Sequence, residues 1–198
     1  MCSADAYIAM NLLKVCTLLP CSLVIAACSV NSSSTPPTLS SSTPQVQKSS
    51  IEISCQDLQN PAYRQAVLNA INEIRQHPRQ CGQQYFSAAK PLSWNNNLYQ
   101  GASAHSKDMA NNNFLGHVGS TGLDLRARLK KYHMLSKANG ENVASGQKTL
   151  NEVMAKWIAS PLHCSNIMNP RYTEYAIACA SDQSAKQKSY WTQQFAGF

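Results

Sequence analysis

The sequence is poor in acid. Ten Asp and Glu stand against seventeen Lys and Arg, a formal net charge of +7 over 198 residues. Such a balance favours anionic partners: nucleic acid, anionic lipid or an acidic polymer. The chain carries no nucleic-acid-binding motif, so nucleic acid is not expected as a partner. It lacks the helical His-Glu-x-x-His of zinc proteases and the Gly-x-Ser-x-Gly elbow of serine hydrolases, which excludes those two forms of catalysis. It lacks any apolar run long enough to cross a bilayer; the mainly apolar stretch from Val15 to Ala27 is too short. There is no internal repeat and no sign of a second domain. The length suits one domain plus a tail.

What is present begins with an export signal. Lys14 precedes the Val15–Ala27 stretch, which reads as the apolar region of a signal peptide. Met10-Asn11-Leu12-Leu13-Lys14 is itself a typical opening, so the start is Met1 or Met10. Ile25-Ala26-Ala27-Cys28 resembles a bacterial lipobox. Cleavage before Cys28 leaves a cysteine that takes lipid at its thiol and amine; the alternative is an ordinary secretion signal cut nearby. Ser29, in place of Asp, points to sorting to the outer membrane. Residues 1–27 are therefore expected to be a lipoprotein signal peptide, 28–51 a lipidated cysteine and Ser/Thr/Pro-rich tether, and 52–198 the domain. The tether, with Ser32-Ser33-Ser34-Thr35-Pro36-Pro37 at its centre, cannot bury enough apolar surface to fold. Extended, it reaches at most ~70 Å.

Past Cys28 the cysteines are Cys55, Cys81, Cys164 and Cys179. In an exported chain this set suggests two disulfides, with three pairings open. The favoured pairing is Cys55–Cys81 with Cys164–Cys179. The first would pin the entry to the domain, the second a loop around His163. Cys164 beside His163 also suggests a nucleophile, a reading that an oxidising compartment disfavours.

Asn60-Pro61 marks a helix start, and Tyr63, Val67, Ala70, Ile71 and Ile74 recur at helical spacing before Pro78. A second helix is expected from about Asn97 to Asn112, with Leu98, Ala102, His105 and Met109 on one face. His105 is then either a hydrogen-bonded core histidine or a member of a site. A third helix near Leu123–Tyr132 holds the basic run Arg126-Ala127-Arg128-Leu129-Lys130-Lys131, read as a solvated face with Asp124 and Arg128 as a surface pair. Thr149-Leu150-Asn151-Glu152 is a capping box opening a fourth helix, ended by Pro161. Tyr175, Ile177 and Cys179 alternate with Ala176, Ala178 and Ala180, and Ser189–Phe195 reads as the partner strand of a hairpin. The alanines leave room for something bulky on one face. Helices separated from a run of strands fit an α+β layer fold.

Three segments carry chemistry: Phe114-Leu115-Gly116-His117-Val118-Gly119, Gly140-Glu141-Asn142-Val143-Ala144-Ser145-Gly146 and Trp157-Ile158-Ala159-Ser160-Pro161-Leu162-His163-Cys164-Ser165-Asn166-Ile167-Met168. Each reads as a loop bordered by Gly, Asn or Pro, where functional groups are commonly displayed. Brought together, His117, His163 and Glu141 suit Zn2+ or another divalent cation, with the two imidazoles as ligands. Ser106 and Ser165 each follow a histidine, but neighbours in sequence do not make a dyad.

These segments resemble the bacterial branch of the CAP superfamily, the cysteine-rich secretory proteins, antigen 5 and pathogenesis-related 1 proteins. The likeness runs from about Leu68 to Phe195. It includes Ile71-Asn72-Glu73-Ile74-Arg75, Pro91-Leu92-Ser93-Trp94-Asn95, Ala104-His105-Ser106-Lys107-Asp108-Met109-Ala110, Asn169-Pro170-Arg171-Tyr172-Thr173-Glu174 and Tyr190-Trp191-Thr192-Gln193-Gln194-Phe195. The resemblance implies a single-domain α-β-α sandwich with a central cleft of two histidines and two acidic residues. His117 and His163 match the histidines, and Glu141 the glutamate of a Gly-Glu-Asn motif. The second acidic residue, expected shortly after Trp157, is Ser160 here. Members of the family are associated with binding lipids or sterols, inhibiting partners or acting on other cells.

The expectation is thus a lipid-anchored protein of the bacterial envelope. Its domain is expected to act as a non-catalytic binding module with a cation-responsive cleft of His117, Glu141, His163 and His105. The ligand would be a lipid, a peptide or an envelope polymer. Two alternatives stand beside it: a hydrolase acting on peptides or peptidoglycan, and a structural envelope protein whose histidines and glutamate merely stitch loops together.

Overall fold

The computed structural model describes residues 52–182, 184 and 186–198. The expected signal peptide, Cys28 and the expected tether lie outside the described residues.

The helices start where their caps place them. Asn60 accepts a hydrogen bond from Ala62 N, and Pro61 opens a 3-10 turn, Pro61–Tyr63, that runs into helix α1, Arg64–Arg75. Helix α2, Asn96–Asn111, is capped by Asn95, whose side chain accepts from Asn97 N and Leu98 N. Leu98, Ala102, His105 and Met109 are all on its buried stripe. Asp124 caps helix α3, Leu125–Lys131, through Ala127 N. Thr149 accepts from Glu152 N at the start of helix α4, Leu150–Ala159, while the Glu152 carboxylate accepts from Lys148 N at 2.6 Å. Leu150, Val153, Met154 and Trp157 are the buried face of α4.

Two expectations change at this point. Pro161 does not lead into a loop. It occupies the start of a further helix, α5, Pro161–Met168, where its fixed φ and missing N–H cost nothing. His163 therefore sits on a helix. Nor is Gly140-Glu141-Asn142 a turn. It lies within a strand whose polar residues are buried against polar partners.

The strands are β1 (Arg79–Cys81), β2 (Gln84–Phe86), β3 (Ser93–Trp94), β4 (Ala138–Ser145), β5 (Glu174–Ser181) and β6 (Ser189–Gly197). The first two form a small hairpin across Gly82, at φ +62, which the sequence pattern does not reveal. The other four make one sheet in the order β3-β5-β6-β4. Strand β3 runs parallel to β5; the β5–β6 and β4–β6 pairs are antiparallel. Gly140 is required in β4 because an added Cβ would collide with the Tyr172 ring.

Alternation along the strands divides the sheet into two faces. Tyr175, Ile177, Cys179, Trp191 and Phe195 join Val67, Ile71, Val153, Trp157 and Ile167 in the main core. On the opposite face Ala176 and Ala196 pack with Leu98 and Leu129, while Ala180 and Tyr190 pack with Met109. The bulky neighbour that the small alanines accommodate is helix α2. The result is an α+β domain with helices on both faces of one sheet, an α-β-α sandwich. Trp157, fully buried with its Nε1 donating to Val143 O, is a site where truncation to Ala would cost about 3–5 kcal/mol.

The disulfides are Cys55–Cys179 and Cys81–Cys164, so the favoured pairing is corrected. The cause is topological. The entry segment around Ile53, Cys55 and Leu58 packs in the main core, on the face to which Cys179 points. The β1–β2 hairpin lies against α5; a Cβ on Gly82 would come within 2.8 Å of Pro161 Cβ. Each bridge thus joins an early segment to a late one. Cys164 is disulfide-bonded, which removes it as a nucleophile.

Candidate functional site

Strand β4 presents Glu141 toward the α2 side of the sheet, where its carboxylate is 1% exposed. An isolated buried carboxylate is costly unless it is paired and hydrogen-bonded. Here both oxygens are occupied. Arg128 Nη2 donates to Oε1 at 2.8 Å and to Oε2 at 2.6 Å. Gln194 Nε2 donates to Oε2 at 3.0 Å, and His117 Nδ1 lies 3.0 Å from Oε1. Gly101 of α2 leaves the space that Gln194 fills; a Cβ there would meet Gln194 Oε1 at 2.9 Å.

The sequence pattern makes Arg128 an exposed partner of Asp124. Instead it is 6% exposed and turned into the site, while Asp124 serves as the helix cap. Its Nη1 also donates to His117 O at 2.6 Å and Leu123 O at 2.9 Å. One guanidinium therefore holds β4 and the loop carrying His117 to α3. That loop is tied to α2 as well. Asp108 accepts from Ser120 N at 2.8 Å, and His105 Nε2 bonds Gly116 O at 2.8 Å.

The histidines differ in environment. His105 is 1% exposed, with Nε2 bonded to Gly116 O and 3.9 Å from Glu141 Oε1. Burial holds its pKa below the usual value, against the opposing pull of the Glu141 charge, so the ring is neutral. His117 is 55% exposed at its side chain. The hydrogen bond to Glu141 raises its pKa, partly opposed by burial. With a carboxylate accepting from Nδ1–H, the neutral ring of His117 presents Nε2 as an acceptor. Burial would push the Glu141 carboxyl up, but His117, Arg128 and Gln194 outweigh it and hold the group below the ordinary carboxylate range.

His163 approaches from the other face, on α5. The polar residues after Glu141 anchor that helix to β4. Asn142 Nδ2 donates to His163 O at 3.1 Å and Gln193 Oε1 at 2.8 Å. Asn166 Nδ2 donates to Glu141 O and Asn142 Oδ1. The His163 pKa is lowered by burial and then by the charge of His117, so the two imidazoles are within electrostatic reach. Glu141 and His117 are in contact, His105 lies against them, and His163 stands at the edge of the set.

The fit to a metal can be judged from the donors. Among the described residues no group of three or more His, Cys, Asp or Glu is arranged to hold an ion. Glu141 is committed to Arg128 and Gln194 and is not a free ligand. Two nitrogen donors remain, His117 Nε2 and the His163 ring, with Glu141 behind His117 in the position of an orienting carboxylate.

Arg128, Gln194, Gln193 and Asn166 are members of this network that sequence reasoning does not select. A signal exists: Thr192, Gln193 and Gln194 are consecutive polar residues in a strand read as buried, and buried polar groups need partners.

The class is an α+β sandwich in which a buried Glu–Arg pair carries a half-exposed histidine. Residues 68–195 match the Cysteine-rich secretory protein family, CAP, and the chain belongs to that family. It is similar to the uncharacterized protein YkwD of Bacillus subtilis, at 33% identity over 136 residues, 69% of this chain and 48% of that protein. The chain thus spans about half the length of that relative. Two solved structures share the fold. An extracellular protein containing a SCP domain from Bacillus anthracis matches with TM-score 0.58 and 23% identity, over 72% of this chain and 43% of that one. An outer surface protein from Borrelia burgdorferi matches with TM-score 0.55 and 16% identity, over 74% of this chain and 96% of that one.

Proposed function

We propose that this chain is a binding module on the outer side of a bacterial envelope. Lipid at Cys28 anchors it, at the outer membrane, and its ligand site lies at the mouth between His117 and His163. One observation carries this reading: the roles around Glu141 are divided. Arg128 and Gln194 commit the carboxylate to the fold, while its bond to Nδ1 fixes the tautomer of His117 and leaves Nε2 as a free acceptor on a half-exposed ring.

His117 Nε2 and the His163 ring would hold a divalent cation such as zinc. Once bound, the cation supplies open positions for a carboxylate, phosphate or peptide oxygen of a ligand. Glu141 orients His117 from behind, as carboxylates do for metal-ligating histidines. Two disulfides agree with an oxidising, extracytoplasmic setting.

The same residues weigh against hydrolysis. A carboxylate held ionised by fixed donors is a weak general base. Ser106 Oγ donates to Thr192 Oγ1 at 2.8 Å, and Ser165 Oγ to Leu162 O at 2.7 Å, so neither is paired with its neighbouring histidine.

The test is zinc titration by calorimetry on the alkaline side of neutrality, since ligation needs neutral imidazoles and Glu141 raises the pKa of His117, with melting curves alongside. The wild-type chain is expected to bind and to melt higher with zinc. The double variant His117→Ala/His163→Ala is expected to lose both effects while its metal-free melting temperature stays close to wild type. Equal zinc affinity in the two proteins would remove the histidines as ligands. Collapse of the metal-free double variant would favour a purely structural role.

A further inference from the structure

Helix α3 sends its cations to three places. Arg128 turns inward to Glu141. Lys131 borders a cavity beside His105 and Asp108. Arg126 and Lys130, one turn apart, flank a different cavity of about 370 Å3, with Lys137 contributing from the residue just before β4. The floor of that cavity is apolar, since Leu129 and Met134 are buried. Leu135 stands on its wall with 77% of its surface exposed. The Ser136 hydroxyl, also on the wall, is buried and has no hydrogen-bond partner among the described residues.

The charge is unbalanced. No acidic side chain lines the cavity, and among the described residues none of Arg126, Lys130 and Lys137 sits in an ion pair. Like charges at i, i+4 destabilise a helix. The helix dipole accounts for Lys130 near the C-terminal end, but Arg126 lies in the first turn, at the positive pole. Local helix energetics therefore do not explain this trio. An anion that relieves the repulsion does. A soluble polyanion would satisfy the cations alone. It would gain nothing from the apolar floor or from a leucine displayed between the charges. An amphiphilic anion uses all three features: phosphate for the cations and an apolar portion for Leu129, Met134 and Leu135.

We propose that this cavity binds the phosphate headgroup of an anionic membrane lipid, with Leu135 against the apolar part of that lipid. The site shares no residue with the His117 cleft and stands or falls independently of it.

The experiment titrates the full chain with monomeric dihexanoyl phosphatidylglycerol, using dihexanoyl phosphatidylcholine, inorganic phosphate and polyphosphate as comparison probes. The phosphatidylglycerol is expected to bind more tightly than either phosphatidylcholine or phosphate. The triple variant Arg126→Gln/Lys130→Gln/Lys137→Gln should weaken it about tenfold, the scale of three solvent-exposed charge contacts. Leu135→Ser should weaken phosphatidylglycerol but not polyphosphate. All four side chains are exposed, so melting temperatures should not fall below the wild-type value. Equal binding of the two lipids, or an unaffected triple variant, would overturn the proposal. Tight polyphosphate binding with phosphatidylglycerol indifferent to Leu135→Ser would replace it with a site for a soluble acidic polymer.

Discussion

Arg128 holds both carboxylate oxygens of Glu141 through a single nitrogen, Nη2, at 2.8 and 2.6 Å. The side chains are 7% and 1% exposed, so this pair has been taken out of water. Desolvation makes its net contribution to stability small, but it makes the loss of one partner severe. Arg128→Ala is therefore expected to cost about 3–5 kcal/mol, by stranding Glu141 and releasing the carbonyls of His117 and Leu123. The double replacement Arg128→Met/Glu141→Leu should recover much of that loss. Urea unfolding midpoints measure both. A wild-type midpoint for Arg128→Ala would mean the guanidinium is not the pin between α3 and β4.

The pH response follows from opposite shifts in neighbouring histidines. His117 has a raised pKa, so its stabilisation is complete below the unfolded value near 6.5 and disappears as pH rises through the folded value. His105 has a lowered pKa. Its stabilisation is complete above 6.5 and is lost as pH falls through the folded value. Glu141, also lowered, contributes above its unfolded value of 4.5 and only loses that in stronger acid. Between about pH 7.5 and 5.5 the first two effects oppose one another. His117→Gln should make metal-free protein lose more melting temperature on acidification, and His105→Gln should make it lose less. Identical pH slopes in the two variants would contradict this assignment.

Much of the scaffold is legible because apolar periodicity reports burial directly. The stripe of α2, the buried face of α4 and the alternation in β5 all come from that signal. Strand β4 is not, because Glu141 and Asn142 are polar and read as a loop. Their partners, Arg128, Gln194, Gln193 and Asn166, come from other elements, and no local window contains them. The same blindness makes Arg128 look like a surface partner of Asp124. That His117 meets Glu141 is visible only in the structure, where Glu141 is held by the fold rather than free as a ligand.

The disulfides close loops with sequence separations of 124 and 83 residues. In the chain-entropy account, cross-links of this span contribute about 4–5 kcal/mol each. Non-reducing digestion should yield Cys55 linked to Cys179 and Cys81 linked to Cys164. The Cys81→Ala/Cys164→Ala variant should lower the melting temperature and, because α5 carries His163, weaken zinc binding as well. Recovery of a Cys164–Cys179 peptide would restore the pairing that sequence proximity suggested.

The anchor is tested at one atom. Ile25-Ala26-Ala27-Cys28 resembles a lipobox, and only the Cys28 sulfur can take the thioether-linked lipid. A single acyl chain gives marginal membrane binding, whereas several chains on one residue give stable anchoring. Cys28→Ser should therefore move the protein from the membrane fraction to the soluble one, or leave its precursor unprocessed. The serine keeps the size of the side chain and removes only the nucleophile, so a folding defect is not expected to mimic the result. The basic cavity at Arg126, Lys130 and Lys137 sharpens the reading. If that cavity holds the variant on anionic membranes, a salt wash should release it, because exposed charges are screened beyond about 3 Å at 1 M, while the lipidated wild type should resist the wash. Salt-resistant membrane association and normal processing of Cys28→Ser would end the case for lipidation at this residue.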